Sequence, residues 1–229
     1  MDALVNELMK ELNCDTVFTI PVLGGIPVKE SVVVTWIIMA VILVLCIALT
    51  RNLSVENPGR GQIILETIVS GGHNFFKDTL GEHGAEYIPY LMTVTLYIGI
   101  ANLIGLLGFK PPTKDMNVTA ALAFMSIVLI EVAGIRQKGA KGWVKSFAEP
   151  IPIILPINIM EIFIKPLSLC MRLFGNVLGA FVIMELLKSL IPVVLPVPFS
   201  FYFDIFDGLI QAYVFVFLTS LYIKEAVEE

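Results

Sequence analysis

The sequence contains three long apolar runs that are almost free of charge. Residues 31–50 and 87–109 carry no charged side chain, and residues 116–135 carry only Glu131, close to their end. Twenty helical residues span about 30 Å, which is the thickness of the hydrocarbon core of a bilayer. Because that core offers the backbone no hydrogen-bond partners, such runs cross it as helices. The pattern predicts an all-α, polytopic membrane protein.

The composition agrees with that class. Only 15% of the 229 residues are charged, whereas soluble domains carry about 25% charged residues. No hydrophilic tract is long enough for a separate soluble domain, so residues 1–229 are predicted to form a single membrane domain. A net charge of −5 gives no reason to expect nucleic acid as a partner. Residues 1–15 lack the basic start of a cleavable signal peptide.

The last third of the chain mixes apolar residues with ionisable ones. Three prolines between residues 190 and 198 interrupt it, and proline removes backbone donors that a continuous helix needs. We therefore predict a long helical hairpin with arms at residues 150–190 and 199–224. Together with the three apolar runs, the hairpin brings the prediction to about five membrane helices.

Residues 58–82 form a segment that is too polar to cross the bilayer. Its apolar residues recur with helical periodicity, which predicts an amphipathic helix at the cytoplasmic surface. The segment contains His73, and His83 follows it directly. We interpret both histidines as solvated side chains and predict no metal site.

The distribution of Lys and Arg predicts the orientation, because short loops rich in these residues stay in the cytoplasm. The loop after the third run carries a cluster of cations without an acid: Arg136, Lys138, Lys141 and Lys145. Arg51 and Arg60 mark the end of the first run in the same way, while Lys110 and Lys114 lie on the opposite side. The larger cluster decides, so residues 1–30 are predicted outside the cytoplasm and the C-terminus inside it.

Arg172 stands within the apolar stretch PLSLCMRLFGN and cannot lose its charge. An arginine at the bilayer centre costs about 2.5–3.5 kcal/mol on insertion scales. Snorkelling fits poorly, since about twelve uncharged residues follow before Glu185. An ion pair within the chain also fits poorly, because Glu185 lies about 220° around the helix and Glu161 is spaced to pair with Lys165. Intramembrane ionisable residues mark ion pathways by default, which is the interpretation we favour.

Polar residues continue along one face of each hairpin arm. Asn176 follows Arg172 by one helical turn, and Asp204, Asp207 and Gln211 recur at spacings of three and four on the second arm. Two such stripes could line a hydrated route, or they could hold the hairpin together by interhelical packing. The spacing alone leaves both alternatives open.

The stretch PLSLCMRLFGN, followed by GLIQAYVFVFLTSLYI, resembles subunit a of the rotary F-type ATP synthase. The segments LMTVTLYIGIANLIGLL, PPTKDMNVTAALA and PINIMEIFIKPLSL are similar to further parts of that family. The resemblance extends over residues 30–225. It implies an ion-translocating membrane stator with two offset half-channels, whose tilted hairpin faces the ring of c subunits.

The resemblance also implies roles for individual residues. Arg172 corresponds to the essential arginine that faces the carboxylate of each passing c subunit and blocks ion leak. Asn176 corresponds to the Asn one turn further on, and Gln211 to the Gln of the last helix opposite the arginine. Asn102 corresponds to an Asn near the end of an earlier helix.

Two positions depart from the family pattern. Many members have a Glu that lines an access half-channel where this chain has Phe181. Glu185, one turn further along the same helix, is the candidate to replace it. Asp204 stands where members often have His or another polar group. The resemblance therefore implies that Glu185 and Asp204 contribute to the half-channels.

The implied partners are the c-subunit ring, the b subunits of the peripheral stalk, the rest of the ATP synthase and the lipid bilayer of a bacterial-type plasma membrane. No cofactor or catalytic residue is implied, since catalysis resides in other subunits, and the sequence has no P-loop. The coupling ion, proton or sodium, stays open. The alternatives are a membrane scaffold and a stand-alone transporter whose arginine binds an anionic substrate, which predicts internal repeats.

Overall fold

The structure of the chain is a computed structural model, and it begins with a short hairpin followed by helices. It describes residues 16–21, 26–51, 53–54, 58–81, 84–107, 109–147, 152–190 and 196–228. Strands β1 (Thr16–Ile20) and β2 (Ile26–Lys29) pair in antiparallel fashion. The strands were not predicted, although the sequence TVFTI is rich in the β-branched and aromatic residues that strands favour.

The helices occupy most of the described chain. In chain order they are α1 (Glu30–Thr50), α2 (Arg60–Leu80), α3 (Ile88–Leu103), α4 (Met116–Ser146), α5 (Leu155–Leu190) and α6 (Pro196–Ser200). A π-helical segment, Phe201–Asp207, continues α6 directly into α7, Gly208–Glu228. Short 3₁₀ turns lie at Ala85–Tyr87, Ile104–Leu107, Pro112–Lys114 and Pro152–Ile154.

Five segments of the described chain are long and apolar enough to cross a membrane. They are Glu30–Thr50, Ala85–Leu106, Met116–Ser146, Leu155–Lys188 and Pro198–Val227. The helix α2 is not among them, and only Phe76 and Leu80 near its end are buried. The prediction of an all-α, polytopic membrane protein with about five membrane helices and one amphipathic helix is confirmed.

The helix α4 is longer than the apolar run from which it was predicted. It continues from residue 135 to Ser146, so that the cationic stretch lies on helix and not in a loop. Gly139 has a φ of 71°, which bends the chain away from the axis of the span. Glycine adopts this left-handed conformation without a steric penalty. Hydropathy marks where a helix leaves the lipid, whereas the helix itself ends where its hydrogen bonds end.

The core lies where α4 packs against α5 and α7, and where α7 packs against α3. Its largest fully buried apolar side chains include Leu91, Ile98, Leu173, Phe215 and Ile223. The helix α1, in contrast, leaves most of its apolar side chains exposed. Lipid tails are as apolar as leucine, so helices in a bilayer associate through close packing and hydrogen bonds.

Such hydrogen bonds connect three pairs of helices. Tyr90 of α3 bonds Ser126 of α4 at 3.0 Å. Thr35 of α1 bonds Tyr97 of α3 at 3.1 Å. Cys170 of α5 is buried with its Sγ 3.6 Å from the hydroxyl of Thr119 of α4. Interhelical bonds of this kind contribute about 0.6 kcal/mol on average.

Asp115 joins the first helix to the start of α4. It is buried and caps α4 by accepting a hydrogen bond from the Asn117 backbone N–H at 3.0 Å. The hydroxyl of Ser31 donates to its other oxygen at 2.6 Å, and the Lys29 Nζ lies 3.8 Å away. Burial raises the pKa of the Asp115 carboxyl, but these hydrogen bonds and the nearby Lys29 outweigh it, so the pKa is lowered.

We expect Asp115 to stabilise the fold in a pH-dependent way. Because its folded-state pKa is lowered, its contribution is fully present above the pKa of an unfolded Asp. It is lost as the pH falls from about 4 through the lowered pKa. The substitution Asp115→Asn should therefore lower the free energy of unfolding at pH 7 by about 1–2 kcal/mol. The thermal unfolding temperature of the detergent-solubilised protein should fall accordingly. The substitution should also weaken the dependence of that temperature on acid. An unfolding temperature equal to the wild type at pH 7 would show that this junction does not hold α1 to α4.

Candidate functional site

Arg172 lies near the middle of α5 with its side chain exposed on the outer surface of the chain. Leu169, Cys170 and Leu173 are buried on a different face of the same helix. The guanidinium makes no hydrogen bond or ion pair with another described residue. The charge at the centre of α5 is therefore presented outwards, and no acid in the described part of the chain neutralises it.

A cavity of about 620 Å³ lies on the C-terminal side of Arg172 along α5. We call it cavity A. Its lining consists of Asn102, Gly105, Leu106, Phe109, Lys110, Pro111, Asn176, Val177, Ala180, Phe181, Met184, Lys188, Ser200, Phe201, Phe203, Asp204, Asp207 and Gly208. The end of α3, the second half of α5 and the π-helical segment thus surround one space, in which several polar and charged side chains stand among apolar ones.

Hydrogen bonds connect the polar side chains of cavity A. The Asn176 Nδ2 of α5 donates to the Asp207 Oδ2 at 2.6 Å. The Ser200 hydroxyl donates to the Asp204 Oδ2 at 3.1 Å. The Asn102 Nδ2 donates to the carbonyl oxygen of Gly208 at 3.0 Å. The first of these bonds shows that the two polar stripes meet at one point, where Asn176 of the first arm contacts Asp207 of the second.

The π-helical segment carries both acids of cavity A, Asp204 and Asp207. A π-helix closes its hydrogen bonds over five residues and is frequent at functional sites. Small residues let α3 and the chain after it approach closely. A Cβ on Gly105 would lie 3.0 Å from the Asp204 Oδ1, and a Cβ on Gly208 would lie 2.9 Å from the Cβ of Asn102.

Phe181 lies in the wall of cavity A. It occupies the position at which many members of the family have a Glu. The Nζ of Lys114 lies 4.4 Å from the centre of its ring, as in a cation–π contact. Lys114 itself is buried. Glu185, which was predicted to replace the acid, belongs to α5, but its side chain lies outside the described residues.

A second cavity of about 860 Å³ lies on the N-terminal side of Arg172. We call it cavity B. Its lining consists of Ile130, Glu131, Gly134, Lys138, Trp143, Ser146, Phe147, Ile154, Asn158, Glu161, Ile162, Lys165, Glu225 and Ala226. It lies between α4, the first half of α5 and the end of α7.

Lys165 is the centre of a charged group in cavity B. Its Nζ lies 3.2 Å from the Glu161 Oε2 and 3.1 Å from the Glu225 Oε1. The pairing of Glu161 with Lys165, predicted from their spacing of four residues, is confirmed. Across the cavity, the Trp143 Nε1 donates to the Glu131 Oε2 at 2.9 Å. The first half of α5 therefore lies in a polar environment at one end of the bundle.

Gln211 lies on α7, four residues after Asp207. It is buried, and its Nε2 has no hydrogen-bond partner in the described part of the chain. An amide donor left unpaired away from water costs about 1–3 kcal/mol. Such a group calls for an explanation, for example an ordered water or an ion between the helices.

The structure brings some of the predicted residues together and leaves others apart. Asn102, Asn176 and Asp204 line cavity A together, whereas Arg172 and Gln211 are not in its wall. His73 of the predicted amphipathic helix is exposed, and His83 lies outside the described residues.

Some residues of the cavity were not predicted as site residues. They include Asp207, Lys110 and Lys188, which also line cavity A. Asp207 had been recognised as part of a polar stripe, and its spacing from Asp204 was the signal that could have identified it. The lysines gave no such signal, since charges near the ends of membrane helices are common.

These features define a class, namely a multi-pass membrane protein with an exposed arginine in the middle of one helix and a cavity with charged side chains on either side of it. The family described as ATP synthase A chain matches residues 32–224. The chain therefore belongs to the ATP synthase subunit a family and is part of an ATP synthase complex.

Relatives with that name align along nearly the whole chain. ATP synthase subunit a of Moorella thermoacetica is 38% identical over 206 residues, which cover 90% of this chain and 94% of the relative. ATP synthase subunit a 3 of Pelobacter propionicus is 38% identical over 205 residues, 87% of this chain and 88% of the relative. The subunit of Propionigenium modestum, described as sodium ion specific, is 33% identical over 219 residues, 89% of this chain and 75% of the relative.

Proposed function

We propose that this chain is the ion-translocating stator of a rotary F-type ATP synthase, in which Arg172 separates two offset half-channels. The observation that carries the proposal is the outward exposure of Arg172 between cavity A and cavity B. With a rise of 1.5 Å per residue, Asn176 in cavity A is displaced by about 6 Å along α5. Lys165 in cavity B is displaced by about 10 Å in the opposite direction. In this proposal each cavity crosses only part of the membrane.

The fixed charge of Arg172 explains how an ion leaves the rotor. A rotor carboxylate in lipid is neutral because burial can raise its pKa by up to about 3–5 units. A cation 4 Å away stabilises the ionised carboxylate by about 4 kcal/mol at an effective dielectric of 20. That corresponds to about three pKa units. The two effects are comparable, so the carboxylate gives up its ion near Arg172 and takes one up again after leaving it.

The same charge opposes a direct leak between the cavities. Two like charges about 10 Å apart repel by about 1.7 kcal/mol at an effective dielectric of 20, and the repulsion rises as a cation approaches the guanidinium. An ion crossing 100 mV yields only about 2.3 kcal/mol. Several ions must therefore be added together for one ATP, which requires a ring that turns.

Orientation and partners follow from the same proposal. The positive-inside rule places the cationic end of α4, and with it cavity B, on the cytoplasmic side. Cavity A then opens to the outside, the N-terminus lies outside and the C-terminus in the cytoplasm. The exposed apolar residues of α5 nearest to the side of Arg172, such as Ile164 and Met171, face the c ring. The b subunits of the peripheral stalk pack elsewhere on this single membrane domain.

The remaining site residues take roles that fit their positions. Asn102, Asn176 and Asp204 line the outer half-channel, because they share cavity A. Gln211 offers its buried, unpaired Nε2 to a water molecule or an ion that enters between the helices. Glu185 of α5 contributes a further acid to the same half-channel. No cofactor is needed, since the chemistry consists of moving an ion between oxygen atoms.

The proposal predicts partial losses of ion flux when acids of the outer half-channel are neutralised. Asp204→Asn and Glu185→Gln should each lower ATP-driven ion pumping by the purified complex in liposomes several-fold, with ATP hydrolysis maintained, because the pathway loses an ion-exchanging oxygen. Asp78→Asn, on the exposed side of α2, is the matched control and should pump normally. Normal pumping by both single variants and their double variant would remove these residues from the pathway.

The same preparation identifies the coupling ion. ATP synthesis driven by a sodium gradient in the presence of a protonophore assigns sodium, and synthesis that the protonophore abolishes assigns protons. One relative is described as sodium ion specific, so both measurements, with sodium and with protons, are needed. Co-purification of a c ring and a soluble nucleotidase with this chain distinguishes the stator from a transporter that works alone.

A further inference from the structure

Asp207 is an acid of cavity A to which neither the family resemblance nor the proposed roles assign a task. We propose that Asp207 is the carboxylate that exchanges the coupling ion with the rotor at the inner end of cavity A, in place of the acid missing at position 181. The inference rests on the proposed function and adds a specific residue to it. Three observations support it.

The first observation is which wall of the cavity carries the acids. The residues of α5 that line cavity A are Asn176, Val177, Ala180, Phe181, Met184 and Lys188. None of these described residues is acidic, and the ring of Phe181 is occupied by its contact with Lys114. Among the described side chains that line the cavity, the acids are Asp204 and Asp207, and both come from the π-helical segment of the opposite arm.

The second observation is that only one of these two acids reaches the helix of the arginine. Asp204 accepts its hydrogen bond from Ser200, which lies on the same hairpin arm. Asp207 instead accepts from Asn176 of α5, at 2.6 Å. Asn176 follows Arg172 by one helical turn. Asp207 is thus held at the end of the cavity that approaches Arg172, where an ion has to pass to the rotor.

The third observation concerns the hydrogen bonds of the two carboxylate oxygens of Asp207. The Oδ2 of Asp207 accepts the bond from Asn176, and its Oδ1 has no hydrogen-bond partner in the described part of the chain. Asp207 is half-buried and lines the cavity, so the free oxygen is accessible to a small ion. Asn176 orients the carboxylate while leaving one oxygen for exchange.

The exchange itself is a simple transfer. Asp207 takes a proton on its free oxygen from a hydronium ion in cavity A, so that one O–H bond of the hydronium breaks, a water molecule is left and an O–H bond forms on Asp207. It then passes this proton to the ionised carboxylate of the rotor. It returns to the anion, and the rotor carboxylate becomes neutral. A sodium ion would follow the same route, with the same carboxylate oxygen as one of its ligands. In both cases Asp207 binds and releases a single monovalent cation.

The test measures ion conduction through the membrane sector of the assembled complex. We expect Asp207→Asn to lower ATP-driven pumping, and passive ion conduction after the soluble part is stripped off, by at least ten-fold. The asparagine can still accept the hydrogen bond of Asn176 but cannot carry an ion. Asp207→Glu should keep a substantial part of the flux, and the control Asp78→Asn all of it. Parallel assays with a pH gradient and with a sodium gradient show which ion is affected.

A relocated acid distinguishes ion exchange from a structural role. Phe181 and Asp207 line the same cavity, so Phe181→Glu in the Asp207→Asn background should restore conduction. Wild-type flux in Asp207→Asn, or lost flux that neither Asp207→Glu nor the relocated acid restores, overturns the inference. Arg172→Ala is measured in the same membranes. If it abolishes coupling while Asp207→Asn conducts normally, only the role of Asp207 is wrong; if Arg172→Ala transports normally, the proposed function itself fails.

Discussion

Replacing Arg172 with alanine is expected to abolish ATP synthesis driven by an ion gradient, while the soluble part of the complex continues to hydrolyse ATP. The guanidinium is exposed on the surface of α5 and has no partner among the described residues of its own chain. Its charge is therefore available to a group on another subunit. Without it, a rotor carboxylate loses about 4 kcal/mol of stabilisation in its ionised form, and it keeps its ion when it passes the stator.

The measurement is ATP synthesis by membrane vesicles after a gradient is imposed, together with ATP hydrolysis in the same vesicles. Arg136→Ala is the matched control, because Arg136 pairs with Glu86 at 3.9 Å and both side chains are exposed. A surface pair of this kind contributes about 0–1 kcal/mol, so this variant should synthesise ATP normally. Normal synthesis by the Arg172→Ala complex would refute the stator role.

A second large effect is expected at Gly208, where the last helix meets α3. A Cβ at this position would lie 2.9 Å from the Cβ of Asn102, which is fixed to the backbone and cannot turn away. Gly208→Ala should push α7 off α3 and stretch the hydrogen bond from Asn102 to the Gly208 carbonyl. Overpacking of this kind costs about 1–3 kcal/mol. We expect a lower yield of assembled complex and loss of ion pumping in what does assemble.

Gly99→Ala serves as the control for this substitution. Gly99 lies on α3 one turn before the same junction, and a Cβ there meets no atom within 4 Å. Alanine is preferred to glycine within a helix by about 1 kcal/mol, so this variant should assemble as well as the wild type or better. The Gly208→Ala and Gly99→Ala complexes are purified and heated, and the loss of ion pumping with temperature measures their stability. Equal stability of the two variants would show that the α3–α7 junction tolerates a wider spacing.

Several elements could be predicted from the sequence because they depend on local properties of the chain. The apolar runs are long enough to span lipid, which predicts the helices without reference to their neighbours. The pair of Glu161 and Lys165 follows from the geometry of one helix. Arg172 stood out because a permanent charge within an apolar stretch is costly wherever the helix is placed.

Other features of the site depend on contacts between distant parts of the chain. Nothing in the sequence near Asp207 shows that it bonds Asn176, which lies 31 residues away. The sequence also does not show that Lys114 covers Phe181. The π-helical segment escaped prediction because its periodicity differs from an α-helix by about one residue per turn, which a short stretch cannot reveal.

The amino-acid sequence was enough to predict a bundle of membrane helices with a permanent charge, Arg172, in the middle of an apolar stretch. The cost of a charge in lipid is a property of the residue and its flanking sequence. The outward orientation of this charge, and the separate cavities on either side of it, are seen only in the folded chain. The reason is that cavities arise between helices, from the way α3, α4, α5 and α7 pack, and packing depends on side chains that are far apart in the sequence.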